Sequence, residues 1–168
     1  MKKDMSRNRI ALVGLLLAGF IAAGFALNFR GLNAPMYYDT GGLIEGNRAL
    51  FKAHDILRVV SIFPQRPLPM VSFFVNYMAS GMSAWHFRAW NIVILGFTAL
   101  IVVVLTYLLL SLKRERSKDS ESELRVVCVF IGVVFLVHPL LTQLVLYIWQ
   151  RTALMACLFY CCSLASHV

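Results

Sequence analysis

Residues 90–112 read WNIVILGFTALIVVVLTYLLLSL, a run with no charged side chain in it. A helix of that length crosses the hydrocarbon layer of a bilayer, which is about 30 Å thick. Its flanks agree with that reading. Trp85 and Trp90 stand at one end, where indole rings favour the headgroup level, and Lys113, Arg114, Arg116 and Lys118 stand at the other. Upstream, Ile10–Leu27 is a second uninterrupted apolar run, long enough to span at about 1.5 Å per residue and preceded by Lys2, Lys3, Arg7 and Arg9. A secretory signal peptide shares that basic start, but this run is long for its apolar core. The remainder of the chain is again hydrophobic, so an uncleaved first span is expected. Downstream, an apolar run opens at Leu124 and is interrupted by His138-Pro139, and a last one extends from Ile148 to Val168.

The expected architecture is an all-α integral membrane protein with about four transmembrane helices and an extracytoplasmic amphipathic loop bearing one or two interfacial helices. Residues 1–9 are the cytoplasmic N-terminus, 10–27 the first span, 28–89 the loop, 90–112 the second span and 113–123 a cytoplasmic loop. Residues 124–142 form the third span with its outer turn, and 143–168 a fourth span that looks truncated. This arrangement leaves both basic clusters inside, as the charge rule requires. Within the loop, Arg48–Ile62 has mixed helical periodicity, and Pro67 opens a further helix that Gly81 ends after Ser80, too short to span.

Composition excludes several classes. The chain is 60% hydrophobic and 14% charged with a net charge of +8, and eight of its sixteen basic residues are gathered in the two clusters that flank apolar runs. That is a topology signal rather than a nucleic-acid face, so no nucleic-acid partner is expected. The four cysteines have neither disulfide-framework nor zinc spacing and read as small apolar residues. No metal site and no cofactor are expected.

Polar residues among greasy segments are costly and therefore informative. In the expected topology Asp39, Arg66, Arg88, His138, Gln143, Gln150 and Arg151 all fall near the extracytoplasmic side. A carboxylate there can act as general base toward a hydroxyl, and guanidinium groups match the oxygens of a phosphate leaving group. Taken singly, each has a plainer reading. Asp39 beside Gly41-Gly42 can be a turn residue, His138-Pro139 a helix end, and Met70, Phe73, Phe74, Tyr77 and Met78 packing residues at helical spacing.

Three runs in order carry a resemblance. They are Tyr38-Asp39 with Ile44 and Asn47; Arg66-Pro67-Leu68 with Ser72, Asn76, Tyr77 and Asn91; and His138-Pro139 with Thr142, Tyr147-Ile148 and Gln150-Arg151. Together they resemble the amino-terminal part of the transmembrane and tetratricopeptide-repeat O-mannosyltransferases, in particular their bacterial relatives, across about Tyr37 to Leu164. The resemblance implies a polytopic glycosyltransferase that moves a hexose from a polyprenyl-phosphate sugar to a protein hydroxyl on the outer face of a bacterial inner membrane. It makes Asp39 the catalytic base and Arg66, Arg88, His138, Gln143 and Arg151 contacts to phosphate or acceptor. Tyr38, Asn47, Asn76, Asn91 and Gln150 support the motif.

The chain departs from the family at Thr40, where a second acid is usual, at Arg88 for His, and at Gln143 for Glu. The resemblance also implies further spans and soluble repeats. The expected partners are therefore the bilayer, the lipid-linked sugar, a protein acceptor and a polypeptide supplying the missing spans, with the chain inactive alone. Two other functions compete: a non-catalytic membrane scaffold, and a small transporter, which is disfavoured because no charge lies near mid-membrane to form a relay.

Overall fold

The apolar run from Ile10 is carried by one long helix, α1 (Lys2–Asn28), which closes in a 3-10 turn at Phe29–Gly31. A computed structural model of the chain describes residues 2–37, 39–113 and 121–168. After α1 come a π-helical turn at Gly41–Glu45, α2 (Arg48–Lys52), α3 (Ile56–Ser61) and α4 (Pro67–Ser80). Then come α5 (Ala84–Lys113), α6 (Glu121–Val137), α7 (Pro139–Leu146), a 3-10 turn at Ile148–Gln150, and α8 (Arg151–His167). Among the described residues there is no strand. Ile10–Gly31, Ala84–Leu112 and Ile148–His167 are each long and apolar enough to cross a membrane, and α6 with α7, bent by 58° between them, is either a broken fourth span or a re-entrant pair. The protein is an all-α membrane protein.

Local chemistry sets where the elements stop. Pro67 sits in the first turn of α4, where its missing N–H leaves no bond unmade, and Gly81 ends that helix with φ +66°. The segment of mixed helical periodicity, Arg48–Ile62, holds two short helices, α2 and α3. His54 takes a left-handed φ of +56°, and Asp55 then starts α3 afresh by accepting from Leu57 N and Arg58 N at 3.1 and 3.2 Å.

α5 begins at Ala84 rather than Trp90, so the loop ends at Ser83. The Ser83 carbonyl accepts from Phe87 N at 3.1 Å, and the hydroxyl lies 2.9 Å from His86 Nδ1. The α6–α7 bend sits where Pro139 cannot donate; His138 is extended there, and its Nδ1 accepts from Leu140 N at 3.3 Å. Because α7 occupies residues 139–146, the last span starts at Ile148 and not at residue 143.

α5 is the mast on which α1, α6 and α8 pack. Glycines let the helices close up. A Cβ on Gly96 would stand 2.6 Å from Ile21 of α1, and one on Gly132 would run into Val103 of α5 and come within 3.1 Å of Phe20. The spans enclose Phe20, Ile92, Leu95, Ala99 and Leu154, while Val126, Phe130 and Val134 on α6 face outward, as lipid contact allows. At the loop end a second cluster (Ile44, Phe51, Val59, Met70, Phe73, Phe87 and Trp149) seats α2, α3 and α4 on the ends of α5 and α8.

Candidate functional site

Two arginines are buried at the loop end, Arg88 and Arg151, each at 1% exposure or less. Arg151 opens α8, and its guanidinium meets acceptors from two other helices. Nε donates to Asn91 Oδ1 at 2.7 Å, and Nη2 donates to Asn76 Oδ1 at 2.9 Å and to Phe87 O at 2.8 Å. Nη1 donates to Ser72 O at 3.2 Å and reaches Ser72 Oγ at 3.4 Å. All five N–H groups of the fork are therefore occupied. The Phe73 ring covers one face of the guanidinium, with its centroid 4.4 Å away.

Arg88 is a clamp of similar kind. Nε donates to Leu146 O at 2.8 Å, Nη1 to Leu32 O at 2.9 Å and also to Ala34 O, and Nη2 to Pro35 O at 2.9 Å. It ties the segment after α1 to the end of α7. The acceptors of both arginines are neutral, so each cation is solvated by dipoles instead of a carboxylate.

Asn91 completes this framework by donating to Val145 O at 3.2 Å, which holds the end of α7. Both arginines, expected as phosphate contacts, spend donors inside the fold: all five N–H groups of Arg151 and four of the five of Arg88. Asn76 and Asn91 line the Arg151 cradle, and Asn47 bonds its own turn through Leu43 O at 3.1 Å.

Beside this framework lies a cavity of about 710 Å³. One end is polar: Asp39, Arg66, Tyr147, Gln150 and Thr152. Gln65 also lines it, and the remaining lining is apolar, with Ala153, Met155, Ala156 and Phe159 of α8 and Pro67, Leu68 and Pro69 of α4. Asp39 is exposed and accepts from Tyr147 Oη at 2.9 Å. Arg66 is also exposed, lies 5.4 Å from the Phe63 ring centroid and donates one bond to Thr152 Oγ1 at 3.1 Å, so most of its fork remains open. Thr152 and Ala153 belong to the first turn of α8, the positive end of the helix dipole, which favours an anion.

Of the residues expected at the site, Asp39, Arg66 and Gln150 come together. His138 and Gln143 do not line the cavity, because both are exposed on the α6–α7 side, where His138 caps α7. Tyr38 lies outside the described residues, as do residues 114–120 of the second basic cluster. Thr40 is buried and accepts from Trp149 N at 3.2 Å, so its hydroxyl is used inside the fold. Thr152 carries no sequence motif of its own; only its place after Arg151 at a helix start could have signalled it. Among the described residues no group of three or more His, Cys, Asp or Glu is placed to hold a metal.

A scan of protein-family models and searches of curated proteins and solved structures found no match to the chain.

Proposed function

We propose that this chain is a membrane glycosyltransferase-like protein, the part that receives a polyprenyl-phosphate hexose and directs the sugar to a protein hydroxyl at the outer face. The observation that carries the reading is the shape of the cavity's lining. A carboxylate and an open guanidinium stand at one end, and an apolar wall runs along a membrane helix from there. Thr152 to Phe159 is about two helical turns, roughly 10 Å toward the middle of the span. A lipid phosphate suits such a lining, with its headgroup at Arg66 and the first turn of α8 and its first isoprene units against Ala156 and Phe159.

In this reading Asp39 takes the proton of the acceptor hydroxyl as its oxygen attacks the anomeric carbon. The carbon–oxygen bond to phosphate breaks, and the electron pair leaves with the polyprenyl phosphate. Arg66 meets the charge that develops there. Further spans supplied by another polypeptide would close the open side.

The test uses membranes of source cells carrying the chain, a radiolabelled polyprenyl-phosphate hexose, and a serine- and threonine-containing peptide. Asp39→Asn should lower transfer by about 10²-fold or more, as loss of a general base does, at unchanged chain abundance. Transfer that is equal in the two would end the reading.

A second reading, a non-catalytic scaffold, is favoured by one observation: Arg88, Arg151, Asn76 and Asn91 are all used inside the protein. A scaffold tolerates Asp39→Asn and Arg66→Gln together in every assay of assembly and growth; a transferase does not.

A further inference from the structure

The turn between α7 and α8 carries a side chain to which proton transfer at Asp39 and charge stabilisation at Arg66 give no task. Tyr147 donates its phenol proton to Asp39 Oδ2 at 2.9 Å across 108 positions of sequence. Two residues on, Trp149 N donates to Thr40 Oγ1 at 3.2 Å. Asp39 and Thr40 are thus latched, as neighbours, to a turn in another part of the chain.

That turn is itself held. Tyr147 N donates to Gln143 O at 3.0 Å, Arg88 holds the preceding carbonyl at 2.8 Å, and Asn91 donates to Val145 O at 3.2 Å. The Tyr147 ring also stacks on Tyr37, with centroids 6.2 Å apart and planes 15° apart. Asp39, by contrast, is an exposed residue that leads into Gly41-Gly42. A short exposed side chain of this kind has rotameric freedom to lose, and the rigid partner is Tyr147.

We infer that Tyr147 is a positioning residue for Asp39: it engages one carboxylate oxygen and directs the other toward the acceptor hydroxyl in the cavity. The inference rests on the transferase reading. Its physical basis is that a general base works only within hydrogen-bond reach of the proton it takes, and small misplacements are costly. Tyr147→Phe keeps the ring and its stacking on Tyr37 and removes only the donor.

The experiment measures transfer in membranes of source cells carrying wild type, Tyr147→Phe, Asp39→Asn or both, across a range of polyprenyl-phosphate hexose concentrations. Rates are taken per chain that elutes as a single species from detergent. Tyr147→Phe should lower kcat by about tenfold and leave KM for the donor within about twofold, because the donor's phosphate meets Arg66 instead. In the Asp39→Asn background the Phe change should add nothing, since there is no carboxylate left to place. A Tyr147→Phe chain with wild-type kcat, or a loss that multiplies fully onto Asp39→Asn, overturns Tyr147 while leaving the transferase intact. A wild type no faster than Asp39→Asn overturns the transferase reading, and Tyr147's task with it.

Discussion

Arg151 and Arg66 look alike in the sequence and differ in the fold. Both stand beside residues that suggest a phosphate contact, yet Arg151 is at 0% exposure with every donor occupied and Arg66 is exposed with one bond made. The difference was not legible because the acceptors of Arg151 lie 60 to 79 positions away, on α4 and α5. No local pattern records such a meeting. What could be read was that Ser72, Asn76 and Asn91 are polar residues in greasy helices and so belong to something. Arg151→Met should remove the donor from Asn76, Asn91, Ser72 and Phe87 at once. With buried unsatisfied groups costing about 1–3 kcal/mol each, a loss of at least about 3 kcal/mol is expected. It would be seen as a sharp drop in chain abundance and unfolding temperature in detergent. Arg66→Gln should leave both unchanged and weaken retention of a polyprenyl phosphate by about tenfold, as loss of a charge-assisted bond implies. Equal damage from the two substitutions would show that the distinction between cradle and cavity is wrong.

Helix ends were readable wherever one residue decides them, and not where several neighbours share the decision. α4 runs from Pro67 to Ser80 because proline and glycine act through their own backbone. α5 starts six residues before Trp90, where the indoles had suggested the boundary, and carries the charged Arg88 inside the bundle because four carbonyls solvate it. The α6–α7 break was signalled by His138-Pro139, but the short helix α7 beyond it was not, since an apolar run looks the same whether straight or bent by 58°. Because His138 caps α7 and does not reach the cavity, His138→Ala should cost about 1 kcal/mol and leave transfer at its wild-type rate. A fall in transfer without a fall in stability would return His138 to the site. Tight helix contacts give the opposite sensitivity. Gly96→Val and Gly132→Val should each destabilise by about 1–3 kcal/mol, read as a lower unfolding temperature, because Ile21, Val103 and Phe20 occupy the space a side chain needs.

On the scale of the whole molecule, the class of the fold was legible from residues 90–112 and from where the basic residues gather. The cavity was not, since it forms only where the loop-end cluster seats α4 against α8. The same charge pattern predicts orientation. In a cysteine-free background, Ser61→Cys should react with an impermeant maleimide in intact cells, and Ser117→Cys only after permeabilisation. The reverse pattern would put the cavity on the wrong side for an outer-face acceptor. The Arg151 cradle has one more consequence, which concerns time. Every acceptor it uses, from Ser72 to Asn91, precedes Arg151 in the chain, so the receptor is synthesised before its guest. A guanidinium entering hydrocarbon alone is strongly opposed, whereas one that finds five waiting acceptors is solvated as it arrives. α4 and α5 thus act as the receiving dock for α8 during biogenesis. Damage to Ser72, Asn76 or Asn91 would then show itself first as a nascent chain whose last span fails to leave the translocon.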